Sequence, residues 1–238
     1  MSGIFIAGTD TNVGKTVVTA ALAAYFRSRG IDAGVMKPVE SGCLSGAEGS
    51  DSVYLKRISQ SPDDLDLINT YAFEKAVAPG VAAKLEGVEV NFDRIAESYR
   101  RLELMHSLVL VEGAGGLLVP LAPGKDVVDL IEFLDLPVLL VGRAGLGTVN
   151  QTLLSLHYLA SRGIKVLGWI LSKTSREADV SCEYNVASIR ERTDLPFWGR
   201  LDFISRLKDR ETILEKVQQD LGLSLERFLK ERGLKVAL

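Results

Sequence analysis

Near its amino terminus, the chain passes from an apolar run into a short loop and then into Gly-Lys-Thr. Ile4 to Ala7 predict a buried strand, and a predicted helix opens with Gly14, Lys15 and Thr16. Small loop residues let backbone N–H groups curl around phosphate oxygens, and a helix amino terminus adds partial positive charge. The segment therefore predicts a phosphate-binding P-loop, in which Lys15 reaches the β- and γ-phosphates and the Thr16 hydroxyl binds Mg²⁺.

This loop is a variant of the strict Walker pattern, which has four residues between its two glycines. Gly8 lies one residue too far from Gly14, and Thr9 occupies the expected glycine position. The alternative is a glycine turn with a solvated lysine, but the strand before the loop and the helix after it favour phosphate binding. The predicted nucleotide-binding residues of the loop are Asp10, Thr11, Asn12, Val13, Gly14, Lys15 and Thr16.

Composition narrows the class of protein. The 238 residues are 47% hydrophobic with a formal net charge of −3, which gives no electrostatic signature for nucleic acid or an anionic membrane. Two cysteines, Cys43 and Cys182, cannot form a disulfide framework and, with no recognisable signal peptide, predict a cytoplasmic protein. No apolar run approaches the ~20 residues that span a bilayer. His106 and His157 are too few and too isolated to predict a metal cluster.

Short apolar runs alternate with helical segments throughout, which predicts an α/β fold with a doubly wound, mostly parallel sheet. The predicted strands are 4–7, 33–36, 108–111, 138–141 and 166–171. The predicted helices are 14–29, 92–105, 127–133, 148–161 and 179–192, with a further one beginning at Asp51 behind the N-cap Ser50. Ligands bind such sheets at the carboxyl ends of the strands.

The carboxyl-terminal part of the chain is charged and amphipathic. We predict a single P-loop NTPase-like domain over residues 1–238, in which 205–238 form a C-terminal helical extension. The apolar spacing of this extension predicts one or two helices broken near Gly222, docked on the body or on a second subunit.

Charged residues follow two of the predicted strands. Lys37 comes after the second strand, where it either adds positive charge beside the P-loop or is a solvated strand-end lysine. If it acts beside the P-loop, we expect its removal to reduce turnover and to leave folding little changed. Glu112 ends the run 108–111 before a glycine-rich turn, which favours a Walker-B-like Mg²⁺ ligand over a solvated carboxylate. Asp51, at a helix start, is ambiguous because an acid there often only compensates the helix dipole.

A glycine-rich segment, 142–150, follows the fourth predicted strand and precedes a helix. Its three glycines suggest a close approach of the backbone to a ligand, which a lone glycine loop would support only weakly. Its position at another strand end strengthens the prediction.

Four segments taken together resemble the dethiobiotin synthetase family. They are Gly-Thr-Asp-Thr-Asn-Val-Gly-Lys-Thr, Lys-Pro-Val-Glu-Ser-Gly, Val-Glu-Gly-Ala-Gly-Gly and Gly-Leu-Gly-Thr-Val-Asn, in order between Ile4 and about Asp202. The resemblance implies a homodimeric ligase that uses ATP and Mg²⁺ to form the ureido ring of dethiobiotin from 7,8-diaminononanoate and CO₂ or bicarbonate, in biotin synthesis. The resemblance also implies a deviant P-loop NTPase fold.

The resemblance also implies roles for particular residues. It makes Lys37, Lys15 and Thr11 catalytic, and Thr16, Asp51 and Glu112 metal ligands. It assigns nucleotide binding to Glu112, Ser172, Phe197 and Gly199 in addition to the P-loop. The implied substrate-binding residues are Ser41, Gly115, Gly147, Thr148, Asn150 and Tyr184, of which the last four act from the partner subunit.

The sequence departs from the family pattern at three places. Asn12 stands where many members have Glu, and Ser172 stands where an adenine-reading Asn often occurs. Asp202 replaces a Pro that usually closes the nucleotide loop. The segment after Asp202 is also longer than is common in the family.

An ATPase switch of the partition or septum type is the alternative from another class. Those proteins usually carry a second lysine inside the P-loop, whereas this loop has Asp10 and Thr11 and no lysine before Lys15. They often add an amphipathic membrane helix, while the tail here is mixed in charge. A synthetase of the cobyrinic acid type would need a glutaminase domain, for which we expect no room in this chain.

Overall fold

The computed structural model describes residues 3–177 and 179–233. Its centre is a six-stranded sheet in which each neighbouring pair of strands runs parallel. In spatial order the strands are β10 (Phe197–Leu201), β9 (Val166–Ser172), β8 (Val138–Arg143), β1 (Gly3–Gly8), β5 (Leu108–Gly116) and β2 (Ala33–Met36). Two short pairs lie beside it: β3 (Val39–Ser41) is parallel to β4 (Tyr71–Phe73), and β6 (Pro120–Ala122) is antiparallel to β7 (Lys125–Asp126).

Helices cover both faces of this sheet. They are α1 (Lys15–Ser28), α2 (Asp51–Ser59), α3 (Leu65–Ile68), α4 (Pro79–Leu85), α5 (Phe92–Met105), α6 (Val127–Leu134), α7 (Thr148–Ser161), α8 (Ser181–Arg190) and α9 (Arg210–Glu231). Side chains alternate between the faces along each strand. Ile4 and Ile6 therefore pack with apolar residues of α1, α2 and α9, whereas Phe5 packs with those of α5, α6 and α7. This arrangement confirms the predicted doubly wound α/β fold.

The five predicted strands and the long predicted helices are present. Helices 92–105 and 148–161 have the predicted bounds, and α2 begins at Asp51 behind Ser50, whose hydroxyl accepts from the N–H of Val53. Strand β10 was not predicted, because it lies at the sheet edge, contains Gly199 and buries only part of its residues. The two short strand pairs, α3 and α4 were also missed, since elements of two to seven residues carry little periodicity.

The carboxyl-terminal segment forms one helix in its described part, and the predicted break near Gly222 is wrong. Helix α9 runs through Gly222 and buries an apolar face against α1 and β10. Gly222 is itself buried, so the absence of a side chain serves packing rather than a bend. Residues 234–238 of the predicted extension lie outside the described residues.

The parallel strands bring their carboxyl ends to one edge of the sheet, and the predicted site segments follow these ends. In register, Gly8 of β1 pairs with Gly116 of β5 and with Val141 of β8. No helix in the described part of the chain is both long enough and apolar enough to cross a bilayer.

Candidate active site

The segment between β1 and α1 folds as a phosphate-binding loop. Gly14 is the N-cap of α1 and has a φ of 95°, a conformation that suits glycine. A Cβ at Gly14 would also come within 2.4 Å of the Ser172 hydroxyl oxygen, so space as well as conformation requires glycine. The Lys15 ammonium folds back over the loop and donates to the carbonyl of Asp10 at 2.8 Å. The loop thus holds its lysine against its own backbone.

Lys15 is an electrostatically unsatisfied cation. Burial and then the neighbouring charge of Lys37 lower the pKa of Lys15 to about 8, while Glu112, Asp51 and Asp10 act in the opposite direction. Its hydrogen bond goes to a backbone carbonyl rather than to a carboxylate. An anionic group near Lys15 would therefore be bound favourably, as a phosphate-binding lysine requires.

A second group of charged side chains lies beside the loop. The Lys37 ammonium is 2.6 Å from Glu112 Oε1 and 2.8 Å from Asp51 Oδ2. The Thr16 hydroxyl donates to the same Glu112 oxygen at 2.7 Å. Thr16 lies in α1, Asp51 in α2 and Glu112 in β5, while Lys37 directly follows β2, so these residues from distant parts of the sequence meet at the sheet edge. We call Thr16, Lys37, Asp51 and Glu112 the strand-end cluster.

Burial and charge act together on the titration of this cluster. Burial alone would lower the pKa of Lys37, but Glu112 and Asp51 outweigh it and raise that pKa. Complete burial raises the pKa of Glu112, with Lys37 acting against it. Partial burial would raise the pKa of Asp51, yet Lys37 and the Thr16 hydroxyl hold it below its usual range. Lys37 is therefore a fixed positive charge between two acids.

The solvent-exposed alternatives for these residues are wrong. Lys37 is 3% exposed and Glu112 is 0% exposed, so neither is a solvated strand-end group. Glu112 lies within β5, which continues to Gly116 rather than ending at Val111. The expectation that removing Lys37 leaves folding little changed is revised, because two acids would lose their cation.

The cluster also fits a magnesium ion. Mg²⁺ takes oxygen ligands and is typically held by one or two carboxylates together with substrate phosphates. Thr16, Asp51 and Glu112 supply such oxygens next to the P-loop, and Glu112 Oε2 is buried with no hydrogen-bond partner among the described residues. No group of three or more His, Cys, Asp or Glu in that part of the chain could hold a metal alone. Two carboxylates and a hydroxyl are what a phosphate-bound Mg²⁺ needs.

Two of the residues expected at the reaction centre lie together. Gly115 has a φ of 66°, and a Cβ there would be 3.3 Å from the Thr11 hydroxyl oxygen. The tail of β5 therefore runs directly against the P-loop. Ser41 ends β3, where its hydroxyl donates to the carbonyl of Val77 at 2.7 Å.

The predicted nucleotide-binding residues outside the P-loop fall into two groups, which differ in their distance from that loop. Ser172 is buried at the carboxyl end of β9 and contacts the loop at Gly14. Phe197 and Gly199 lie farther from that edge, because Phe197 pairs with Trp169 in the register of β9 and β10. The Phe197 ring packs on the Trp169 ring with centroids 4.2 Å apart, and a Cβ at Gly199 would strike the backbone of α9. The structure does not bring these two residues to the P-loop.

The residues expected to act across a subunit interface lie around α7 and α8. Gly147 is the N-cap of α7, and Asn150 and Tyr184 are exposed on the two helices. The Thr148 side chain instead points inward, where its hydroxyl is 3.1 Å from that of Thr152. Thr148 is 0% exposed and its N–H donates to the Gly145 carbonyl at 3.3 Å, so this residue is not placed to meet a partner.

Sequence reasoning missed three supporting contacts. The Asn69 amide donates to the Lys37 carbonyl at 2.7 Å and fixes the backbone of that lysine. Arg143, in the glycine-rich segment after β8, lies 3.5 Å from the carboxylate of Asp10. Glu40 binds the start of α2 from within the buried segment that follows Lys37. The available signal for Glu40 was its place in the Lys-Pro-Val-Glu-Ser-Gly segment, whereas nothing in the sequence singled out Asn69.

Comparisons with curated proteins find relatives with one function. A protein of Anaeromyxobacter dehalogenans (strain 2CP-1), described as ATP-dependent dethiobiotin synthetase BioD, is 47% identical over 81% of this chain and 86% of its own length. A protein of the same description from Thermodesulfovibrio yellowstonii is 37% identical over 94% of this chain and 99% of its own length. One from Bacillus cereus is 37% identical over 98% of this chain and 97% of its own length. A family model described as an AAA domain matches residues 2–211.

Solved structures agree in fold at low identity. The septum site-determining protein MinD of Pyrococcus horikoshii in complex with Mg-ADP aligns with a TM-score of 0.59 and 18% identity, covering 100% of this chain and 99% of that one. The MinC:MinD cell division complex of Aquifex aeolicus aligns with a TM-score of 0.60 and 14% identity, covering 100% of this chain and 98% of that one. At these identities the similarity establishes the three-layer P-loop architecture alone.

Proposed function

Because the chain belongs to the ATP-dependent dethiobiotin synthetases, within the AAA domain family, we propose that its strand-end cluster performs the ring closure for which that family is named. The protein is an ATP-dependent cyclo-ligase of biotin biosynthesis. Its substrates are 7,8-diaminononanoate, CO₂ and ATP. The observation that carries the assignment is Lys37, a buried cation set between two acids beside a phosphate-binding loop.

The chemistry explains why such a site needs positive charge more than a nucleophile. One amine of the diamine adds to CO₂ and loses a proton, giving a carbamate anion. A carbamate oxygen then attacks the γ-phosphorus of ATP, and ADP leaves. The second amine attacks the carbonyl carbon, phosphate leaves, and loss of a proton completes the ureido ring. Each step before ring closure gathers negative charge at one place, so fixed cations stabilise it.

Lys15 and Lys37 divide this task. The lowered pKa of Lys15 and its backbone contact suit it to binding the β- and γ-phosphates. Lys37 keeps its charge through Asp51 and Glu112. In this proposal it would lie beside the carbamate and the transferring phosphoryl group. Preorganised charge of this kind costs no reorganisation during the reaction.

The magnesium site is part of this proposal. Thr16, Asp51 and Glu112 would hold Mg²⁺, which when bound neutralises phosphate charge and orients the nucleotide. The unpartnered Glu112 Oε2 supports this assignment, since a buried carboxylate oxygen needs a partner.

The diamine is assigned to the space bounded by Thr11, Ser41 and Gly115. Thr11 and Gly115 are in contact range across the P-loop, since a Cβ at Gly115 would lie 3.3 Å from the Thr11 hydroxyl oxygen. The Asn12 amide, which replaces a carboxylate of many family members, leaves this part of the site without one acidic group.

We further infer a homodimer in which the partner grips the substrate carboxylate. Gly147, Asn150 and Tyr184 would do so, because helix amino termini and hydroxyl groups favour an anion. Leu146, Leu154, Val180 and Tyr184 are exposed in or beside α7 and α8, which supports an interface there. Two free cysteines and a biosynthetic role support a cytoplasmic location.

An isotope experiment tests the proposed reaction. The purified protein is incubated with 7,8-diaminononanoate, MgATP and ¹³C-bicarbonate, and the product is analysed by mass spectrometry. We expect dethiobiotin with the label in the ureido carbonyl. Unlabelled product, or no product in the presence of ATP turnover, would refute the assignment.

A further inference from the structure

Glu40 is a buried acidic residue to which the proposed reaction gives no role. It is 3% exposed, and its two carboxyl oxygens accept from the backbone N–H of Ser52 at 3.3 Å and from the Ser52 hydroxyl at 2.5 Å. A carboxyl group is expensive to bury without such partners. The contact between β3 and the start of α2 is therefore specific rather than incidental.

Ser52 lies in the first turn of α2, directly after Asp51. The loop that leads to this turn contains three glycines with positive φ: Gly42, Gly46 and Gly49. Glycine has more backbone freedom than any other residue, so this loop constrains the position of Asp51 only weakly. The start of α2 must be held by contacts from elsewhere.

We propose that Glu40 is a positioning residue, which holds the first turn of α2 so that the Asp51 carboxylate reaches the strand-end cluster. Lys37 and Glu40 lie in one segment and bind two consecutive residues of α2. Lys37 binds Asp51 at 2.8 Å, and Glu40 binds Ser52. We call this pair of contacts the α2 clamp.

The segment that carries the clamp is itself well anchored. The N–H of Lys37 donates to the Ile68 carbonyl at 2.7 Å, and the Asn69 side chain donates to the Lys37 carbonyl at 2.7 Å. Strand β3 pairs with β4 over Val39–Ser41. Because the segment that carries Lys37 and Glu40 is anchored in this way, the clamp can fix the position of α2.

The inference rests on the proposed role of Asp51 at the Mg²⁺-nucleotide site, and the test separates the two. The dissociation constant of ADP is measured by calorimetry in EDTA and in saturating Mg²⁺, and the ratio gives the magnesium enhancement. The variants are Glu40→Gln, Ser52→Ala, Asp51→Asn and the double variant Glu40→Gln/Asp51→Asn. Glutamine replaces one of the two accepting oxygens by an NH₂ donor, so one of the two Ser52 hydrogen bonds loses its acceptor. Ser52→Ala breaks the same contact from the other side if Glu40→Gln folds poorly.

We expect Glu40→Gln and Ser52→Ala to reduce the magnesium enhancement by about tenfold, as supporting contacts to metal ligands do, with ADP affinity in EDTA within about twofold of wild type. Because Glu40 acts through Asp51, the double variant should match Asp51→Asn alone. Glu48→Gln is the matched control, since Glu48 is an exposed acid in the same loop, 3.9 Å from the Lys208 ammonium; it should resemble the wild type.

Several results would overturn the clamp. They are an unchanged enhancement in Glu40→Gln and Ser52→Ala, an equal loss of ADP affinity with and without Mg²⁺, additive losses in the double variant, or the same loss in Glu48→Gln. If Asp51→Asn leaves the enhancement unchanged, the proposed metal role of Asp51 fails and the clamp fails with it. A loss in Asp51→Asn with none in Glu40→Gln rejects the clamp alone.

Discussion

At the scale of single residues, the site depends on where charge is buried. Lys15 and Lys37 are both buried cations, but only Lys37 is paired with acids. The pKa of Lys15 is therefore lowered and that of Lys37 is raised. One lysine is prepared to receive a phosphate, while the other keeps its charge before any ligand arrives.

Replacing Lys37 by Met tests the importance of that fixed charge. We expect turnover to fall by on the order of a hundredfold or more, because a preorganised cation at the transferring group is lost. We also expect the melting temperature without Mg²⁺ to fall, since Glu112 would remain buried without its cation at a cost of about 3 kcal/mol. Steady-state kinetics and calorimetry measure the two effects, and near-normal turnover would remove Lys37 from the mechanism.

Cys43 gives a prediction about pH. Burial, and then the nearby Glu40 and Asp51 charges, raise the pKa of the Cys43 thiol to about 11. The neutral thiol is favoured, and at pH 8 the thiolate fraction is roughly a hundredfold below that of an ordinary cysteine. Alkylation of Cys43 by iodoacetamide, followed by peptide mass spectrometry, should therefore accelerate up to about pH 11. A rate that levels off by pH 9 would contradict this, and urea-unfolded protein provides the reference.

At the scale of elements, α9 behaves as part of the body. Its apolar face is buried against α1 and β10, and Leu225 is 0% exposed, whereas Leu223 in the same helix is 88% exposed. Leu225→Ala should lower the free energy of unfolding by about 2–5 kcal/mol through the cavity it leaves. Leu223→Ala should change it by less than about 0.5 kcal/mol. Urea denaturation compares them, and equal effects would mean that α9 is not docked.

The long elements could be predicted from the sequence because they bury continuous apolar runs or a helical stripe. The P-loop was predictable because strand, glycines and helix are adjacent in the chain. Edge strand β10 could not be predicted, since the half-buried residues around Gly199 show no clear alternation of apolar and polar side chains. The pairing of Lys37 with Asp51 and Glu112 could only be guessed at, because strand order, not sequence proximity, brings β2 next to β5.

The sequence also could not predict which way each side chain of a site segment points. Thr148 and Asn150 both belong to the predicted substrate segment, yet Thr148 points into the core and Asn150 lies at the surface. Phe197 begins β10, a strand that was not predicted, and it pairs with Trp169 rather than with Ser172 at the carboxyl end of β9. Motifs indicate which segments approach a ligand, whereas the register of each strand decides which side chains do.

At the scale of the whole molecule, the two halves of the sheet carry different tasks. Strands β1, β5 and β2 assemble the P-loop and the strand-end cluster, while β8 and β9 lead to the exposed surfaces of α7 and α8. A dimer through the second half would place one subunit's α7 and α8 near the other subunit's substrate.

Leu154→Glu tests this arrangement. An exposed leucine of α7 at an interface would be desolvated, and a charge there would weaken association. We expect analytical ultracentrifugation to find a dimer for the wild type and a larger monomer fraction for the variant. Leu223→Glu, which changes another exposed leucine, on α9, should stay dimeric. A wild-type monomer, or dissociation by both changes, would reject the interface.

The central claim is that ATP is consumed in closing a ureido ring. The most direct test is the rate of ADP release in the full mixture and with 7,8-diaminononanoate or bicarbonate omitted in turn, alongside dethiobiotin measured in the same samples. We expect one ADP for each dethiobiotin formed and a rate that falls to background when either substrate is absent. ADP release that continues unchanged without the diamine, with no dethiobiotin formed, would contradict it and indicate an ATPase switch instead.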